Sequence, residues 1–108
     1  MSKVDRFESI AQRELADILR NEVKDKIGFI TITGIKITNE LSFMYAYYTV
    51  LGKPEQIEQT KEALERSRVF IKTQLASRLK LRKMPELLFK YDTSLDQGIK
   101  IDGILKKL

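Results

Sequence analysis

The 108-residue chain carries 20 Lys and Arg against 15 Asp and Glu, and 43% of it is hydrophobic. That is one domain's worth of sequence with enough apolar mass for an ordinary core. It has no cysteine and no histidine, which excludes a disulfide framework, thiolate or imidazole metal sites, and histidine-based acid–base catalysis.

The first element is a helix over residues 3–24. Val4, Phe7, Ala11, Leu15, Ile18 and Leu19 recur at spacings of three and four with charges between them. Ser2 suits the cap and Asp5 the first turn. The opening residues lack the apolar core of a secretory signal, and no apolar run approaches membrane-spanning length, so a cytoplasmic protein is expected.

The stretch GFITITGIKITNELSFMYAYYTVLG follows, dominated by β-branched and aromatic residues. Ile30 and Ile32 alternate, and so do Ile35 and Ile37, but the two pairs are out of phase. A bulge at Gly34 returns both pairs to one face. Thr38, Asn39 and Glu40 form a turn, and the second strand runs from Ser42 to Leu51. That strand places Met44, Ala46, Tyr48 and Val50 on one face. Phe43, Tyr45, Tyr47 and Thr49 lie on the other, where the aromatics suggest either a stacking platform or ordinary cover for the sheet.

Pro54 opens the next helix. Ile57, Leu64, Phe70, Ile71 and Leu75 make its apolar stripe, and the helical pattern continues to about Lys83. Some thirty residues is long for a helix in a small domain, so a kink is expected near Ala76 and Ser77. Met84–Pro85 ends the helical stretch. Glu86–Tyr91 reads as a third strand. Ser94 caps a short amphipathic tail helix, with Ile99, Ile101, Ile104, Leu105 and Leu108 as its apolar positions.

Charge is concentrated late in the chain. Between Arg66 and Lys90 stand eight cations and one acid, Glu86, which leaves the remainder slightly negative. Arg66, Arg68, Lys72, Arg78, Lys80, Arg82 and Lys83, with Ser77 among them, are the candidate phosphate-binding residues. The bland alternative is a solvated helix face. Carboxylate pairs such as Asp92 with Asp96, or Glu58 with Glu62, read as surface charges or caps. No catalytic residue, metal site or cofactor is expected.

The element order α-β-β-α-α-β, with a helical tail, defines an α+β chain and resembles the type II KH fold, which grips nucleic-acid backbone through a GXXG loop. No two glycines here are three apart, so a kinked helix pair carrying TQLASRLKLRK replaces that loop. A KH-like chain without GXXG resembles the ribosome-binding factor A family. The matching residues are Leu79, Leu81, Arg82, Met84-Pro85-Glu86-Leu87, Phe89, Tyr91-Asp92 and Ser94. VDRFESIAQRELADIL, ITGIKITNELSFMYAYYTVLG and ALERSRVFIKTQLASRL are similar to the family as well.

The resemblance implies a single KH-like domain over residues 1–108 that works as a non-catalytic assembly factor. It implies binding to the 30S subunit and its 16S ribosomal RNA in late maturation and 5′-end processing, and a role in growth in the cold. It further implies a monomer that a ribosome-associated GTPase releases in some bacteria. Two other classes compete. One is a protein-interaction or dimerisation module using the open sheet face and apolar tail; the other is a small RNA-processing nuclease.

Overall fold

A computed structural model describes residues 3–23, 27–38 and 40–93 of the chain, with side chains from Asp5 onward. Helix α1 spans Lys3–Asn21. Its buried residues are Ala11, Leu15, Ile18 and Leu19, the stripe that the sequence periodicity predicts.

Strands β1 (Phe29–Ile37) and β2 (Phe43–Leu51) pair antiparallel. Their register slips between Ile32 and Gly34, leaving Thr33 as the extra residue. The bulge brings Ile32, Ile35 and Ile37 onto the core face together, as the phase change in the sequence requires. At the hairpin the Leu41 amide donates to the Thr38 carbonyl, and the Ser42 and Phe43 amides donate to Thr38 Oγ1.

Helix α2 runs from Pro54 to Leu79. At its start the Lys53 amide donates to Gln56 Oε1 at 2.7 Å. Thr60, Ala63, Leu64, Ile71 and Leu75 are its buried residues. Buried Thr60 ties the helix to the sheet: its hydroxyl accepts from the Gly28 amide and donates to the Gln56 carbonyl.

The expected division into two helices is corrected here. Helix α2 continues through Ala76 and Ser77, where neither proline nor glycine interrupts the hydrogen-bond ladder. It ends four residues before Lys83. The Leu81 amide donates to the Ala76 carbonyl and the Lys80 amide to that of Ser77, with Lys80 in the left-handed conformation at φ 55°. This is a Schellman stop with lysine in the place usually held by glycine. The described order is thus α-β-β-α-β. The chain meets β2 just after Pro85, where the Glu86 amide donates to the Ser42 carbonyl.

Replacing Lys80 with glycine is expected to raise stability by about 0.5–1 kcal/mol. Relief of the left-handed strain outweighs the extra freedom of glycine in the unfolded chain. Urea denaturation checks this; a loss of stability contradicts it.

Strand β3 (Glu86–Tyr91) lies parallel to β2, so the sheet order is β1-β2-β3 with β2 central. Both helices bury their stripes against one sheet face, which contributes Met44, Ala46, Tyr48, Val50 and Leu87. The ring of Tyr48 meets Phe89 and Tyr91 edge-on, and burial pushes its hydroxyl up to about 12, so it stays neutral. Among the described residues the other sheet face carries no helix and holds Phe43, Tyr45 and Tyr47. Residues from Ser94 onward, including the expected tail helix, lie outside the described residues.

Candidate nucleic-acid interface

The late cationic segment divides into two sets. Arg68 and Lys72 lie on the flank of α2 that faces β3. Arg68 donates to Glu86 Oε1 at 2.6 Å and to the Leu87 carbonyl at 3.4 Å; Lys72 donates to Glu86 Oε2 at 2.9 Å. The single acid of the basic segment therefore neutralises two of its cations, and Arg68 also satisfies a carbonyl on the outer edge of β3.

Arg78 lies on the other flank. Its guanidinium contacts Asp17 at 2.6 Å, Glu14 at 3.4 Å and Glu22 at 3.5 Å, fastening the end of α2 to α1. Hydrogen bonding to Arg78 holds the Asp17 carboxyl below its ordinary range.

Lys80, Arg82 and Lys83 differ. All three are exposed on the segment between α2 and β3, and none forms an ion pair among the described residues. The left-handed turn at Lys80 ends the helix, and the chain toward Pro85 carries the cations away from the acids on α1 and α2. Ser77 and Arg66 lie on the exposed side of α2, with Arg66 approaching Glu62 at 4.0 Å. The eight residues singled out from the sequence therefore do not share one surface. Three charges sit together at the α2–β3 junction, while Arg68, Lys72 and Arg78 act as structural ties.

Sequence reasoning misplaced Phe70. It was expected in the apolar stripe, yet it is 44% exposed, and neighbouring Val69 is 68% exposed. The buried positions Leu64, Ile71 and Leu75 follow a spacing of seven and four, which leaves 69 and 70 off the stripe. That spacing was the available signal. On the open sheet face Phe43 and Tyr45 stack with centroids 6.3 Å apart, and Lys90 Nζ lies 5.0 Å from the Tyr45 ring centre.

The carboxylates are engaged in simple contacts. Asp92 accepts from Thr33 Oγ1 at 2.6 Å, and Glu58 pairs with Lys61 at 3.4 Å. Asp96 lies outside the described residues. No group of acids suited to a metal occurs among the described residues, and no described helix is long and apolar enough to cross a membrane.

The Glu86 contacts predict a pH dependence. Hydrogen bonds from Lys72 first and Arg68 second hold its carboxyl below the ordinary 4.5. A depressed value in the folded state stabilises the fold fully above 4.5, and that contribution is lost as pH falls below it through the folded value. The melting temperature of Glu86→Gln is therefore expected to fall less between pH 6 and pH 3 than that of the native chain. Because the pair is partly exposed, the difference is modest. Parallel curves contradict the assignment.

The ribosome-binding factor A profile matches residues 3–105. The chain belongs to the ribosome-binding factor A family. It is 46% identical to the family's member from Staphylococcus carnosus, covering 100% of this chain and 96% of that protein. The fold is similar to the solution structure of a Thermotoga maritima protein assigned as a ribosome binding factor A. There the TM-score is 0.73 and identity 28%, over 83% of this chain and 87% of that one. It is also similar to the crystal structure of ribosome-binding factor A from Thermus thermophilus, with TM-score 0.71 and 21% identity, over 84% and 97% of the two chains. A third likeness is to Thermus thermophilus ribosome-binding factor A as fitted into a cryo-EM map of its 30S complex. The TM-score is 0.69 and identity 22%, over 82% and 93%. At these last identities the likeness speaks to fold alone.

Proposed function

We propose that the chain is a single KH-like domain that binds the small ribosomal subunit as a non-catalytic assembly factor. Its contact is 16S ribosomal RNA, gripped through the phosphate backbone by Lys80, Arg82 and Lys83 at the α2–β3 junction. The observation that carries the reading is the contrast between these three exposed cations, which form no ion pair among the described residues, and the paired Arg68, Lys72 and Arg78. Arg66 and Ser77 extend the surface along α2, and Phe70 adds an exposed aromatic face on which an unpaired base can stack.

Family membership and the 30S complex of a relative support the partner. The finer reading follows the family. The protein acts in the cytoplasm as a monomer during late maturation and 5′-end processing. It matters most in the cold, and a ribosome-associated GTPase releases it. The junction offers charge and shape suited to a phosphate backbone.

Co-sedimentation with free small subunits tests this reading. Binding is expected to weaken steeply as salt rises from roughly 50 to 200 mM, through the release of counterions from neutralised phosphates. It is expected to be weak with assembled ribosomes. Salt-insensitive association, or metal-dependent cleavage of precursor RNA by the purified chain, contradicts it.

A further inference from the structure

The outer edge of β1, at the opposite side of the sheet from β3, has a second binding geometry. Antiparallel alternation turns the backbone groups of successive residues inward and outward in turn. Thr38 bonds inward to Phe43, so Ile37 and Ile35 face out; beyond the bulge, Ile32 and Ile30 face out as well. Helix α1 shields part of this edge. Glu8 Oε2 accepts from the Ile37 amide at 2.9 Å, and Gln12 Nε2 donates to the Ile32 carbonyl at 2.9 Å. The two caps lie one helical turn apart. The residue one turn further on is Ala16, which has no polar atom to offer Ile30.

There the edge opens into a groove of about 810 Å³ between the second half of α1 and the start of β1. Ala16, Leu19, Val23, Ile27 and Ile30 give it an apolar wall. Arg13 and Arg20 also line it; both are exposed, and neither forms an ion pair among the described residues. On the opposite face of the same edge Phe29 is 81% exposed. A strand edge that no described residue caps at Ile30, an apolar trough, two exposed cations and a bare aromatic thus occupy one place.

We propose that this groove takes an extended acidic peptide segment of a partner protein as a fourth strand beside β1. The peptide backbone bonds to the outward groups of Ile30 and to the Ile32 amide. Its inward side chains fill the trough beside Ala16, Leu19 and Val23, and its alternate side chains cover Phe29. Its carboxylates pair with Arg13 and Arg20. Backbone pairing supplies affinity, and alternate pockets and charge supply specificity.

The test uses the full chain and two labelled probes, a Glu–Val alternating nonapeptide and its Lys–Val counterpart, read by fluorescence anisotropy and by amide chemical shifts. The Glu–Val peptide is expected to bind saturably and to shift the Ile30 and Ile32 amides, and the Lys–Val peptide is expected not to bind. Reversing Arg13 and Arg20 to glutamate is expected to weaken the Glu–Val peptide by about tenfold or more with an unchanged circular dichroism spectrum. Ala16→Gln, which extends the series of caps to Ile30, is expected to weaken it with the charge intact. The proposal is overturned by absence of saturable binding, by shifts confined to residues 80–83 or to the open sheet face, or by indifference to both variants. An oligouridylate probe that shifts the same amides and displaces the peptide overturns it in favour of a nucleic-acid groove.

Discussion

Reversing Lys80, Arg82 and Lys83 to glutamate is expected to weaken binding to the free small subunit by about 100-fold or more at physiological salt while the circular dichroism spectrum stays native. The three side chains are exposed and make no ion pair among the described residues, so the fold does not depend on their charge. Neutral replacement by alanine separates electrostatics from repulsion. It should lower the slope of log affinity against log salt by roughly 2–3, one counterion-release contribution for each lost phosphate contact. The paired cations should behave in the opposite way. Arg68→Gln and Lys72→Gln remove ties to Glu86 and are expected to lower stability with little change in subunit affinity. If instead they abolish binding in a folded protein and the triple variant does not, the interface lies on the β3 flank of α2.

The second large effect concerns the core. Ile71→Ala is expected to destabilise the protein by about 2–5 kcal/mol, because Ile71 is fully buried in the cluster that joins α2 to the sheet. For a chain of this size that loss corresponds to a fall in melting temperature of about 10–20 °C or more. Phe70→Ala, one position away, should barely move the melting temperature, since the ring is substantially exposed. The reverse ranking would mean that α2 is rotated about its axis relative to the arrangement described here. Phe70→Ala is instead expected to reduce RNA affinity by a few-fold through the loss of one stacking surface.

Much of this architecture is legible in local pattern. The α1 stripe follows from its spacing, and the bulge follows from two isoleucine pairs that only an inserted residue can bring onto one face. The end of α2 was not legible. Leu79 and Leu81 prolong an apolar rhythm past the true stop, and lysine in a left-handed cap carries no sequence signal of the kind glycine does. The candidate interface was legible as a segment and not as a surface. Glu86 was visible as the one acid among eight cations, yet which of them it neutralises depends on β3 lying along α2. The acids that hold Arg78 lie more than fifty residues earlier in the chain, on α1, and only the tertiary packing brings them together.

Photo-crosslinking of the protein on free small subunits, with the RNA-adducted residues mapped by mass spectrometry, is the decisive check on RNA contact at the α2–β3 junction. Adducts should concentrate at Lys80, Arg82 and Lys83, with Phe70 beside them. Adducts found only on Tyr45 and Tyr47 of the open sheet face, with residues 80–83 unmodified, would contradict it.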